Sequence, residues 1–83
     1  MRPQPRYPAT LASRGVEGYV DVVFDVTPSG SVANIRIIDS SHAGFEKSAV
    51  EAAQRFRYKP RMLDGMPVGD TGIRYRFRFR MER

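Results

Sequence analysis

The chain has 83 residues, room for one domain with a modest core, and its 14 Lys plus Arg outweigh 9 Asp plus Glu to leave a net charge of +5. The absence of cysteine excludes a disulfide framework and a thiolate metal site, and neither a signal peptide nor a run of about eighteen apolar residues is evident. An apolar fraction of 41% is that of a folded protein, and the positive balance points weakly to an anionic partner: nucleic acid, phospholipid headgroups or an acidic protein surface.

Residues 1–6 are polar, contain Pro3 and Pro5, and read as an extended lead-in. Pro8 suits the first position of a short helix running through Arg14, and Gly15 suits the left-handed position that ends it. Two turns of helix do not survive alone, so Leu11 and Ala12 must pack on the sheet edge or on the end of a larger helix.

From Tyr19 to Val26 the pattern alternates, with Val20, Val22, Phe24 and Val26 on one face and Tyr19, Asp21, Val23 and Asp25 on the other. Thr27-Pro28-Ser29-Gly30 comes next, with Pro28 at the second position of a type I turn and Gly30 closing a bulged hairpin. The second strand runs from Val32 to about Asp39, with Ala33, Ile35 and Ile37 inward, Asn34 and Arg36 outward, and Ile38 irregularly on the outer face. After a loop in which Ser40 or Ser41 supplies the N-cap, residues 45–58 read as one long helix. Phe45, Ala49, Ala52, Ala53 and Phe56 form its apolar stripe, Glu46 lies in the first turn, and Arg55 and Arg57 lie near the last. Pro60 bars continuation. Residues 61–72 read as a polar connector in which Asp64-Gly65 turns and Pro67 breaks any strand.

The strongest pattern comes last. Ile73, Tyr75, Phe77, Phe79 and Met81 alternate without a break against Arg74, Arg76, Arg78 and Arg80. Such a period of two marks a strand with one face on a core and the other toward water. Placing this strand beside the first gives an α+β fold: a three-stranded antiparallel sheet of order 2-1-3, packed on one face by one long and one short helix. Asp21 and Asp25 then lie near the arginine row, where opposite charges attract across strands. The last strand is an edge, guarded by its charge and by the lead-in folding alongside.

Chemistry is sparse. His42, the one histidine, sits in a loop beside Ser40 and Ser41 with no third orienting group, and reads as a solvated loop residue before a proton-transfer one. Asp21 and Asp25 balance arginines more readily than they form a metal or acid–base pair. Gly65, Gly69 and Gly72 lack the following helix that a phosphate loop requires. No enzyme, metal or cofactor is expected. The arginine row has two open readings, a solubilised edge or a partner-binding face. Nucleic acid is not expected, because Tyr75, Phe77 and Phe79 face the core and leave Tyr19 as the main outward aromatic. The unpaired rim offers backbone hydrogen bonds to an added strand.

Read together, Tyr7-Pro8, Gly15, Glu17-Gly18, VVFDVTPSGSV over residues 22–32, the helix with Phe45, Ala49 and Ala53, and FRYKP over residues 56–60 followed by Gly65 and Pro67 closely resemble the TonB C-terminal domain family. The resemblance covers practically the whole chain, so residues 1–83 are expected to form one such domain. It implies a periplasmic, non-enzymatic domain of an energy transducer. Such a domain binds the TonB box of outer-membrane receptors by strand addition, and so drives uptake of iron-siderophores, haem or cobalamin. It further implies an inner-membrane anchor and a proline-rich spacer outside these residues, partnership of those regions with ExbB and ExbD, and homodimerisation through the same edge as an option. The partner-binding residues it implies are Gln4, Arg6 and Tyr7 at the Tyr-Pro pair and Ile73, Arg74, Tyr75, Arg76, Phe77, Arg78 and Phe79 on the last strand. Arg6 stands where some members carry a second glutamine. The alternatives are a basic module for nucleic acid or anionic surfaces, and a TonB-like domain with a non-transport partner.

Overall fold

The computed structural model describes residues 1–82. In chain order the elements are α1 (Ala9–Ser13), β1 (Gly18–Val26), β2 (Val32–Ser40), a 3-10 turn (Ala43–Phe45), α2 (Glu46–Gln54), β3 (Arg61–Leu63), β4 (Met66–Val68) and β5 (Asp70–Phe79). The main sheet has the order β2-β1-β5 and is antiparallel throughout, as the charge pattern predicts. Its inner face carries Val20, Val22, Phe24, Val26, Phe77 and Phe79, all buried together with Phe45, Ala49, Ala52, Ala53 and Phe56 of the helical stripe.

Two separate pieces of chain cover this inner face. Helix α2 lies over β2 and β1, where its alanines allow close approach. The inner face of β5 meets Phe45 and Phe56, on either side of α2, and the N-terminal lead-in. Tyr7 stacks edge-on against both Phe45 and Phe79, with ring centroids 5.8 and 5.7 Å away, and its hydroxyl donates to the Val16 carbonyl. Buried Ser48 on α2 donates to the Arg6 carbonyl, Arg2 lies over the rings of Tyr58 and Tyr75, and Met1 exchanges backbone bonds with Arg57. The lead-in therefore lies across the inner face and not along the rim of β5. Leu11 of α1 is buried beside Gly44, at the start of the turn that leads into α2, and α1 ends with Val16 N–H on the Leu11 carbonyl and Gly15 N–H on the Ala12 carbonyl. Pro8 is the residue before the helix and not its first.

Several boundaries differ from expectation. Helix α2 stops at Gln54 and not at Tyr58, so Arg55 is its C-cap and Arg57 lies outside it. The cause is tertiary: Arg57 bridges to Ser31, and Tyr58 N–H donates 2.9 Å to the Gly30 carbonyl, bonds that a continued helix would forfeit. The preceding 3-10 turn is capped by His42 and neither serine, with Nδ1 accepting from Gly44 N–H at 2.9 Å. Ser40 instead donates to the Glu46 carboxylate. Residues 61–68 form a hairpin, with Asp64 and Gly65 both at positive φ (51° and 78°), the signature of a type I′ turn. Pro67 sits within β4 opposite Met62, one pair away from the closing pair Leu63–Met66. That alternation turns its missing N–H outward, so no ladder bond is lost.

Bulges explain the irregular second strand. β2 has one extra residue near Asn34, at φ 54°, and another at Ile38; β5 has one at Thr71–Gly72, with Gly72 at φ 68°. The first extra residue shifts the face of Ala33, which lies opposite outward Asp25 and not inward, while Ile37 regains the inner register opposite Val22. Ile38, 47% exposed, is the extra residue of the second bulge. Asp25 holds the two bulges that flank it: Oδ2 accepts from Asn34 Nδ2 at 2.8 Å and Oδ1 from Gly72 N–H at 3.2 Å. It does not pair with the arginine row.

The β1–β2 turn closes as expected, with Thr27 N–H on the Ser31 carbonyl at 2.8 Å and Gly30 N–H on the Thr27 carbonyl at 2.9 Å. Gly30 has φ 89°, and a Cβ there would meet the Tyr58 carbonyl oxygen at 2.1 Å. Backbone conformation and packing both exclude a side chain. Gly30→Ala is expected to lose about 2–4 kcal/mol, read as a lower urea midpoint with an unchanged slope.

Candidate strand-addition edge

The hydrogen bonds of β1 fix which backbone groups of β5 are free. Tyr19 O accepts from Ser41 N–H at 3.0 Å and Thr27 N–H donates to Ser31 O, so the odd-numbered residues of β1 turn their backbone toward β2. Each bulge adds its residue to an outer strand and none to β1, whose alternation runs through unbroken. Gly18, Val20, Val22 and Phe24 therefore turn toward β5, where the register pairs them with Phe79, Phe77, Tyr75 and Ile73. Those residues of β5 commit their N–H and C=O groups to β1. Arg74, Arg76 and Arg78 aim theirs at the opposite rim, and among the described residues no strand lies beyond β5. The strand begins at Asp70 and ends at Phe79, earlier at both ends than the alternation of residues 73–81 implies.

Side chains and backbone thus divide the strand between two tasks. Phe77 and Phe79 are buried, and Ile73 and Tyr75 half-buried, so they support the edge from within. The arginines line its outward face. Arg76, opposite Asp21, makes a two-pronged ion pair with it, Nε to Oδ1 at 2.7 Å and Nη2 to Oδ2 at 2.8 Å, and lies 4.2 Å from the centre of the Tyr19 ring. Tyr19 in turn donates 2.8 Å to Asp39, which lies directly opposite Asp21. The hydrogen bond from Arg76, with help from Arg78 and Arg74, holds the Asp21 carboxyl below the usual carboxylate range; Asp39 pushes the Tyr19 phenol up. Asp25 is also held low, first by Asn34 and then by the Gly72 amide.

The N-terminal candidates fall elsewhere. Gln4 and Arg6 are exposed, with Arg6 at a groove along α2 that Ser48, Glu51, Gln54 and Arg55 also line, while Tyr7 is a packing residue between Phe45 and Phe79. Tyr7 touches Phe79 of the strand, and it does so from the core side. Sequence reasoning missed Ser48, which pins the lead-in, and Asn34, whose place in a strand pattern is itself a bulge signal because asparagine tolerates positive φ. Among the described residues no cluster of three or more His, Asp or Glu is placed to hold a metal.

A family model for the Gram-negative bacterial TonB protein C-terminal matches residues 3–81. The chain belongs to the TonB C-terminal domain family. It is 45% identical over 60 residues to Protein TonB of Escherichia coli K12, covering 71% of this chain, and 37% identical over 81 residues to Protein TonB of Klebsiella pneumoniae, covering 96%. It spans only 25% and 31% of those two relatives' lengths. Among solved structures, the solution structure of the Pseudomonas aeruginosa TonB C-terminal domain superposes with a TM-score of 0.85 at 28% identity, covering all of this chain and 84% of that one. The TonB2 protein of Vibrio anguillarum gives 0.74 at 28% identity, over 96% of this chain and 76% of the other. The three-stranded sheet with a long and a short helix is thus the TonB fold.

The ion pair makes a direct pH prediction. Because the folded Asp21 carboxyl titrates below its unfolded value, its contribution to stability is present above the ordinary aspartate pKa and is lost as pH falls through the lowered one. In a carbon-detected NMR titration Asp21 should therefore protonate below the free-aspartate range, and Arg76→Gln should move its midpoint upward. Equal midpoints in the two proteins would show that Arg76 does not hold the carboxylate.

Proposed function

We propose that this domain captures an extended segment of an outer-membrane receptor, the TonB box, as a fourth strand on the rim of β5. The observation that supports it best is the outward aim of the Arg74, Arg76 and Arg78 backbone groups at an uncovered edge, in a chain of the TonB family. An added strand bonds to backbone and needs no special side chain, which suits a transducer that serves more than one receptor. Several parallel hydrogen bonds also share a tensile load. Phe77 and Phe79 keep the edge rigid, while Ile73 and Tyr75 position its start. Tyr7 holds the lead-in so that Gln4 and Arg6 are presented beside the domain, where they contact receptor residues flanking the box.

The family setting is periplasmic. The full-length protein would be anchored in the inner membrane, energised by ExbB and ExbD through regions outside these residues, and would drive entry of iron-siderophores, haem or cobalamin. Homodimerisation at the same rim would compete with receptor capture. A nucleic-acid role finds little support: Tyr19 is the outward aromatic, and its ring is covered by the Arg76 guanidinium and its hydroxyl held by Asp39, leaving no stacking platform.

Adding a synthetic TonB-box peptide should slow hydrogen exchange at the amides of Arg74, Arg76 and Arg78, while those of Tyr75 and Phe77, already bonded to β1, change little. Unchanged exchange and unchanged amide shifts at millimolar peptide would rule the edge out. Proline variants separate rim from ladder. Arg78→Pro removes a rim donor and should weaken peptide binding at least about tenfold with the fold retained, whereas Phe77→Pro removes a ladder donor and should unfold the domain.

A further inference from the structure

The outward face of β5 is not uniformly positive. Arg76 is neutralised by both oxygens of Asp21 and pinned over Tyr19. Arg74 and Arg78 point to the same face, are exposed, and have no carboxylate within ion-pair distance among the described residues. Nor are the other outward acids of β1 and β2 available to them. Asp39 accepts from Tyr19 at 2.8 Å, and Asp25 is committed to Asn34 and to the Gly72 amide. The edge therefore presents two guanidiniums with no ion-pair partner of their own among the described residues, four residues and about 13 Å apart, with a neutral, hydrogen-bonded pair between them.

A strand added to the rim places every second side chain on this same face, whichever direction it runs. Residues opposite Arg74 and Arg78 are then four apart, and the residue between them faces the Arg76–Asp21 pair. A carboxylate at that middle position would find Arg76 already paired and turned toward β1, and so would gain no partner of its own. A carboxylate at an odd spacing would turn to the other face. Resting on the strand-addition reading, we infer that the rim selects an extended peptide with carboxylates at positions i and i+4 and a small neutral residue at i+2, read by Arg74 and Arg78.

Ten-residue peptides of alternating Thr and Val test this, identical except for Glu at positions 3 and 7, Glu at 3 and 6, or Gln at 3 and 7. Binding is followed through the rim amides by NMR at low and high salt. The 3,7 peptide should bind roughly fivefold tighter than either other peptide at low salt, and the difference should vanish at about 0.5 M salt. Arg78→Gln should abolish the preference, Arg36→Gln on the remote strand should leave it, and the double variant Arg74→Glu, Arg78→Glu should transfer it to a peptide with Lys at 3 and 7. Equal affinity for all three peptides overturns the charge reading and leaves strand addition standing. Equal gains for the 3,6 and 3,7 peptides also overturn it, because attraction would then track net charge alone. If no peptide perturbs the rim, strand addition fails and the selectivity fails with it.

Discussion

In an extended chain the side chain of each residue and its backbone hydrogen-bonding groups alternate together. A residue whose side chain turns to one face also turns its N–H and C=O to one edge, and its neighbours do the reverse. On β5 this coupling divides core packing and the free rim between two sets of residues. Tyr75, Phe77 and Phe79 face the core and bond to β1; Arg74, Arg76 and Arg78 face solvent and turn their backbone to the rim. The edge strand is thus anchored by half of its residues and exposed at its rim by the other half. The arginines also keep it soluble, since a bare apolar edge would invite aggregation.

The core beneath this edge is small, and its cover is correspondingly economical. A nine-residue helix spans β2 and β1, and the rest of the inner face falls to Phe45 and Phe56, which flank that helix, and to the lead-in, held by Tyr7 and Ser48. Stacked Phe45 and Phe79, with ring centroids 4.3 Å apart, join the start of the helix to the end of β5. β5 and the N-terminal segment consequently share one aromatic cluster. A disturbance of Tyr7 would reach Phe79 through side-chain contact alone.

Asp25 and Asp21 show how alike residues on one strand face come to different uses. Strand alternation alone makes both of them partners of the arginine row. Asp21 is one, because the register places it opposite Arg76. Asp25 lies where β2 and β5 both bulge, and its carboxylate meets an asparagine amide and a backbone N–H before any guanidinium can reach it. Neither bulge is visible in hydrophobic alternation, which counts residues and takes every step as one pleat. For the same reason alternation puts Ala33 inward and leaves Ile38 unexplained.

From residue order alone came the three strands of the main sheet, their antiparallel 2-1-3 order, the hairpin at residues 27–30, the apolar stripe of the helix and the inward turn of Phe77 and Phe79. Those features arise from local periodicity and from the charge match between neighbouring strands. Tertiary structure alone decided where α2 stops, since the competing bonds of Arg57 and Tyr58 come from Met1, Gly30 and Ser31, far away in the chain. It also decided that Pro67 can occupy a strand, that the lead-in covers the inner face of β5, and that the rim's backbone donors belong to arginines. Each of these depends on which atoms of distant segments meet, and hydrogen-bond register is a property of pairs of strands that no single strand's sequence contains.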